Sequence, residues 1–300
     1  MPTAPLSEPA NGHKNGTTGH RKGILLILAS IFFFTIMDAT ANSLTARHDP
    51  IMVVWARYIS QVLWTVMLLA PRLPAILPTP HWKLQMLRSM LVFGATISFY
   101  FALSGLDLAE ATAIFEVNPL IVTLLAIFVL GESVGPRRWF ALAAGLIGAL
   151  IIIRPGLDVF TPYALLPVLA AFFYASYAIA TRFLSADENP LTSFVYTGLF
   201  GTLVASVLVI PVFEVPGGGD IVLMLGIGLA GGAGQYLLIL ALRAAPASVL
   251  APMTYFGLAL NALWGLLFFA EWPDFWTWIG AIIIVGAGLY VWHRERVTHD

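Results

Sequence analysis

Long apolar runs, separated by connections too short to form a soluble domain, set the main constraint on this chain. A helix needs about 20 mainly apolar residues to cross the hydrocarbon of a bilayer. Ten segments meet or approach that length: Ile24–Thr45, Pro50–Ala70, Leu84–Leu106, Ala109–Leu130, Arg138–Ile153, Pro162–Leu184, Pro190–Pro211, Asp220–Leu242, Ala247–Ala270 and Phe275–Trp292. Charged residues make up 10% of the 300, against roughly 25% in soluble domains. Such a composition cannot wet its own surface, so lipid must cover it. The pattern predicts an all-α membrane protein of ten transmembrane helices.

The rest of the chain adds little. Residues 1–22, rich in Pro, Gly, Asn and Thr, read as a disordered cytoplasmic tail, and residues 296–300 as a second tail. Ala39-Thr40-Ala41 imitates a signal-peptidase site, but the run before it is long for a signal and reads as an ordinary first span. The absence of Cys excludes disulfides and thiolate metal sites, and no metal or cofactor is expected. A net charge of −1 carries no nucleic-acid signature. The expected partners are the bilayer and a small-molecule solute, with the chain as a monomer.

Orientation follows from Lys and Arg near the span ends. With the N-terminus inside, cytoplasmic positions hold Lys14, Arg21, Lys22, Arg72, Lys83, Arg88, Arg137, Arg138, Arg182, Arg243, Arg294 and Arg296. Outer connections hold only Arg47 and Arg154. Twelve against two predicts a multi-pass protein of the cell inner membrane with both termini cytoplasmic.

The chain also repeats itself. Residues 131–153 (GESVGPRRWFALAAGLIGALIII) align without gaps onto 270–292 (AEWPDFWTWIGAIIIVGAGLYVW), an offset of 139 that places Glu132 on Glu271 and Trp139 on Trp278. HDP ending at Pro50 matches ENP ending at Pro190, an offset of 140. The repeats, 23–155 and 156–295, hold five spans each. An odd number means that the second enters the membrane from the opposite side. Inverted repeats of this kind are a known plan for secondary transporters, with the site between the halves near the midplane.

LGE (Leu130–Glu132), its partner FAE (Phe269–Glu271) and the five-plus-five order resemble the EamA-type drug/metabolite transporters over residues 23–295. Within that superfamily the chain is most similar to bacterial exporters of aromatic amino acids. The resemblance implies a ten-helix basket around a central cavity and efflux from the cytoplasm. The copies are not interchangeable, since Ala270 stands where the first has Gly131, and Leu258 where it has Pro119.

Polar side chains at bilayer depth are costly and normally face a cavity or a partner. In the fourth span, Glu116, Asn118 and Pro119 predict a cavity-lining bend that hydrogen-bonds a solute; a structural kink is the plainer alternative. Asp38 and Asn42 share a face of the first span, four residues apart. Arg57 in the second span lies at similar depth, with Gln61 a turn on. Arg57 is read either as an ion pair with Asp38 or Glu116, or with them as a cluster that meets a zwitterion. Tyr100, Tyr174, Tyr177, Tyr255 and Trp264 lie deep, and a buried tyrosine hydroxyl needs a partner. Gln235 and Tyr255 are read as lining residues, and Pro119 and Pro252 as hinges. GIGLAGGAG (226–234) contains G-x-G-x-x-G, but inside an apolar span with no preceding strand it predicts close helix packing rather than a dinucleotide site.

Arg57 is the one cation read at depth, which argues against multiply charged anions as cargo. The expected function is export of small neutral or zwitterionic metabolites, above all aromatic and other large neutral amino acids, by alternating access. Hydrophobic cationic drugs are the alternative cargo. With no nucleotide-binding loop, proton coupling and facilitated diffusion both stay open. A different class is an intramembrane aspartyl protease, since Gly217-Gly218-Gly219-Asp220 fits G-x-G-D and Asp38 could be the second acid. Such a dyad needs both acids in one dry site, and Asp220 falls where it would cap the eighth span.

Overall fold

The computed structural model describes residues 12–130, 136–154, 161–184, 188–244 and 250–297. It is all helical among them: α1 (Gly12–Thr45), α2 (Pro50–Leu69), α3 (Trp82–Leu103), α4 (Leu108–Phe115), α5 (Asn118–Leu130), α6 (Pro136–Ile153), α7 (Leu165–Arg182), α8 (Pro190–Leu208), α9 (Gly218–Ala244), α10 (Phe256–Trp264) and α11 (Phe275–Val297). Seven helical stretches are long and apolar enough to cross a membrane, and three shorter ones coincide with the fifth, ninth and tenth predicted spans. Met67, Phe128, Phe140, Leu203 and Ile282 stand exposed, an apolar exterior suited to lipid. The helix α1 starts at Gly12.

The repeat is visible in local chemistry. Asp49 and Asn189 occupy equivalent positions, each before a proline. Asp49 Oδ1 accepts from the Ile51 N–H at 2.8 Å, and Asn189 Oδ1 accepts from the Leu191 N–H at 3.0 Å. Each satisfies a free amide of a helix start, where proline fits because its missing N–H is not needed.

The two caps lie at opposite ends of the bundle. At the Asp49 end, His48 meets Glu214 and Asp220, and Glu271 meets Leu108. At the Asn189 end, the Thr192 hydroxyl donates to Ile76 O at 2.7 Å and the Tyr196 hydroxyl to Leu77 O at 3.2 Å. Equivalent residues at opposite ends make the repeat inverted.

The most extensive helix pairs join the halves: α1 with α9, α3 with α7, and α6 with α11. The repeat maps the first pair onto the second and the third onto itself. Small residues make this closeness possible, because lipid supplies no hydrophobic drive between helices and packing must do the work. A Cβ on Gly228 would lie 2.4 Å from the Gln61 backbone N, and one on Gly280 would lie 2.5 Å from Gly148 O.

The fourth and ninth spans, equivalent in the repeat, are both discontinuous. Between α4 and α5 the Val117 N–H turns back to Ile114 O at 3.2 Å. Pro119 does not kink a continuous helix as expected; it sits in the first turn of α5, where its lost donor costs nothing. The ninth span enters by a 3-10 turn, Ala251–Tyr255, and leaves by a π turn, Gly265–Phe269, that ends in left-handed Ala270 at φ 56°.

Gly228→Val forces branched carbon into the α2 backbone, so we expect a loss of about 1–3 kcal/mol, typical of overpacking. Gly226→Ala meets nothing within 4 Å and should be neutral or mildly stabilising. Thermal unfolding of the two detergent-purified variants separates these outcomes.

Candidate functional site

The helix breaks and the inter-half helix pairs converge on a polar interior. Asn261 of α10, in the second half, is its centre. Its Nδ2 donates to Thr112 Oγ1 at 3.0 Å and toward Asp38 Oδ2 at 3.4 Å, so one carboxamide ties the second half to α1 and α4 of the first. Asn261 Oδ1, Tyr100 OH and Gln61 Oε1 are buried with no hydrogen-bond partner among the described residues. Buried polar atoms are rarely left so.

Arg57 forms no ion pair with Asp38 or Glu116 among the described residues, against one of the two expectations. Its Nη1 donates to Thr96 Oγ1 at 3.1 Å, its Nε lies 3.3 Å from Met37 Sδ, and its guanidinium stands 4.7 Å over the Tyr58 ring. Asp38 acts on it only through space. Arg57 is 6% exposed, so its charge is enclosed, with no contacting counter-ion among the described residues.

Aromatic side chains from both halves form a row. Phe99 meets Phe115 at 5.5 Å, Phe115 meets Tyr174 at 5.8 Å, and Tyr174 meets Tyr177 at 5.5 Å. Edge and tilted arrangements of this kind suit ring quadrupoles. The first two residues belong to the first half and the two tyrosines to the second.

The other predicted residues separate. The Glu116 carboxylate makes no hydrogen bond or ion pair among the described residues, and the Tyr255 hydroxyl lies against Gly288 of α11. Asn118 Nδ2 donates to Ala171 O at 2.9 Å, so it pins α5 to α7. Gln235 Oε1 lies 3.5 Å from Gln61 Nε2, at the limit of a hydrogen bond. Trp264 donates its indole N–H to Thr35 Oγ1 at 3.0 Å. Asn42 lies toward the Asp49 end, beside Glu271. Pro252 falls in the 3-10 turn, and its side chain lies outside the described residues. LGE falls mostly outside them too.

Sequence reasoning missed Asn261, Thr112 and Arg88. Asn261 was readable as an amide mid-span in the ninth segment. Arg88 was counted with the cytoplasmic charges although it falls inside the third predicted span.

The Asp49 end is held by charge between the halves. Arg47 pairs with Asp220 at 2.7 Å, and Arg154 with Asp274 at 2.7 Å. His48 places Nδ1 2.5 Å from Glu214 Oε1 and Nε2 2.9 Å from Asp220 Oδ2. Glu271 Oε2 accepts the Leu108 N–H at 3.1 Å, capping α4 from the opposite half. Asp220 is thus engaged at the bundle end, not simply a cap. Arg47, its partner, lies nine residues beyond Asp38, roughly 13 Å along a helix, so no aspartate dyad forms.

Apolar spans in two repeated halves, with rings and polar groups from both halves meeting inside, are the arrangement of a membrane transporter. The chain belongs to the EamA-like transporter family, whose model matches residues 21–154 and 161–292, one copy on each half. It is 37% identical over 194 residues to a riboflavin transporter of Rhizobium johnstonii, a match covering 64% of each chain. It is 30% identical over 264 residues to a riboflavin transporter of Brucella anthropi, covering 86% of this chain and 93% of the other. A pseudopaline exporter of Pseudomonas aeruginosa is 29% identical over 271 residues, covering 89% and 94%. A solved structure with 20% identity superposes with a TM-score of 0.66 over 93% of this chain and 99% of that one, a likeness of fold.

Enclosure of the His48 ring opposes its charge, but the carboxylates of Glu214 and Asp220 outweigh that and raise its pKa above the ordinary 6.5. A raised folded value stabilises the fold fully below the unfolded pKa, and the gain is lost as pH climbs through the folded value. Wild type should therefore lose thermal stability relative to His48→Gln as pH rises from about 6 to 8.5. Parallel melting curves across that range would contradict the imidazolium bridge.

Proposed function

We propose that the chain is a secondary transporter that moves a small amphipathic metabolite by alternating access between its halves. Planar aromatic or heteroaromatic solutes of the riboflavin kind are the first class to test. The observation that carries this reading is that both halves supply the interior contacts: Phe115 against Tyr174, and Asp38 and Thr112 against Asn261. A solute held there touches both halves, so a rocking motion changes its exposure from one end to the other. Rings offer flat apolar contact, and a few polar groups fix orientation, as in most small-molecule sites.

The riboflavin transporters among the relatives support a planar heteroaromatic cargo. Large neutral and aromatic amino acids, expected from the sequence, fit the same walls but rank second, because the relatives named above carry riboflavin and pseudopaline. The Lys and Arg bias supports both termini in the cytoplasm and the Asp49 end outside. The sequence has no nucleotide-binding loop, so a solute or ion gradient supplies the drive in this reading.

The test is flux of labelled riboflavin and labelled tryptophan in proteoliposomes, with and without a proton gradient. Saturable riboflavin flux, reduced at least about tenfold by Asn261→Leu, supports this reading; tenfold corresponds to about 1.4 kcal/mol. Tryptophan flux alone would favour amino acids. No flux of either would set both cargoes aside. The absence of native Cys allows a direct test of rocking. Arg47→Cys with Asp220→Cys, bridged by a bifunctional thiol reagent, should stop flux until the bridge is reduced. Undiminished flux in fully bridged protein would rule out motion at the Asp49 end.

A further inference from the structure

Arg88 is a second enclosed cation, and the transport reading gives it no role. It lies in the second turn of α3, toward the Asn189 end, and is 4% exposed. Among the described residues its three hydrogen bonds all go to neutral oxygens. Nε donates to Thr181 Oγ1 at 2.8 Å, Nη1 to Gln85 Oε1 at 2.8 Å, and Nη2 to Tyr177 OH at 3.2 Å. Its guanidinium also stands 4.9 Å over the Tyr177 ring. A guanidinium has five N–H donors, so two are left over among the described residues. Glu188 reaches the group only through the other end of the Gln85 carboxamide, at 3.2 Å, which turns the Gln85 oxygen toward the arginine.

Neutral partners aim a guanidinium but do not cancel its charge. Enclosing a cation without an anion is costly, and such charges are normally paired. Among the described residues no carboxylate contacts Arg88, and its free donors suit an anion that arrives from outside the chain. The surroundings specify what comes with it. The Tyr177 ring under Arg88 begins the row through Tyr174 and Phe115 to Phe99. Arg57, the other enclosed guanidinium with no contacting counter-ion among the described residues, is bonded to Thr96 of the same helix α3. Thr96 lies eight residues beyond Arg88, roughly 12 Å along a helix. Two guanidinium groups held by neutral side chains thus accompany one row of rings.

We propose that this row binds an aromatic solute bearing an oxyanion, a carboxylate or a phosphate, and that Arg88 selects the anion. The inference rests on the transport reading and adds to its cargo a class that riboflavin does not represent. Arg88 is also a second cation at depth, which removes the premise, resting on Arg57 alone, for excluding multiply charged anions. A guanidinium fork matches either oxyanion in two parallel hydrogen bonds, whereas an ammonium meets it as a point charge.

The test is calorimetric titration of the purified full chain in lipid nanodiscs with 2-naphthoate, its uncharged amide 2-naphthamide, and 2-naphthyl phosphate. Wild type should bind an anion at least about tenfold more tightly than the amide, as a charge-assisted pair implies. The better of the two anions identifies the oxyanion. Arg88→Gln should bring that ratio to about one while amide affinity stays within roughly threefold, and Arg88→Lys should restore part of it. A merely structural arginine would lower affinity for all three probes together, and that outcome overturns the proposal. So does a wild type that binds no anion or prefers none, or an Arg88→Gln protein that keeps the wild-type ratio. Riboflavin carries neither oxyanion, so its flux reports on the transport reading separately from this ratio.

Discussion

A bilayer core offers no hydrogen-bond partners, and the arrangement of this protein follows from that constraint. Every backbone amide within the hydrocarbon must be satisfied by the chain itself, which leaves helices as the available element. Every polar side chain must then turn inward. The interior is where Asn261 of the second half meets Asp38 and Thr112 of the first, and where Arg57 meets Thr96 of a neighbouring helix. The apolar exterior and the polar interior are two results of one rule.

Inversion gives that interior its function. Helix pairs α1–α9 and α3–α7 are copies of one contact facing opposite ways. Their details differ, because the sequences of the halves have diverged. At one end, His48, Arg47, Asp220 and Glu214 form charged links. At the equivalent place on the other end, Glu188 meets the neutral Gln85. Among the described residues the two ends are thus closed by different chemistry.

The sequence carried the fold well and the site unevenly. Span positions follow from apolar run lengths, and the inversion follows from an odd number of spans per repeat, so neither needed side-chain geometry. HDP and ENP were visible as a match, although their role as paired caps was not. The failures have physical causes. The break at Glu116 was expected as a proline kink because a sequence shows a proline without its position in the helix; Pro119 proved to start α5. Arg57 was matched with acids because opposite charges at one depth invite pairing, yet lateral position and rotamer decide contact, and Thr96 took that place. Arg88 was assigned to a loop because the orientation rule counts cations near span ends without asking which way they point.

The cap that Glu271 places on α4 has a consequence for how the chain is made. An N-terminal amide of the first half, Leu108, is completed by a carboxylate that is synthesised 163 residues later. Until the ninth span has emerged, the fourth span lacks its lid, and the same delay applies to Thr112, which waits for Asn261. The first five helices can therefore insert one by one but cannot finish as a unit. Contacts of this kind tie the completion of the first half to the second.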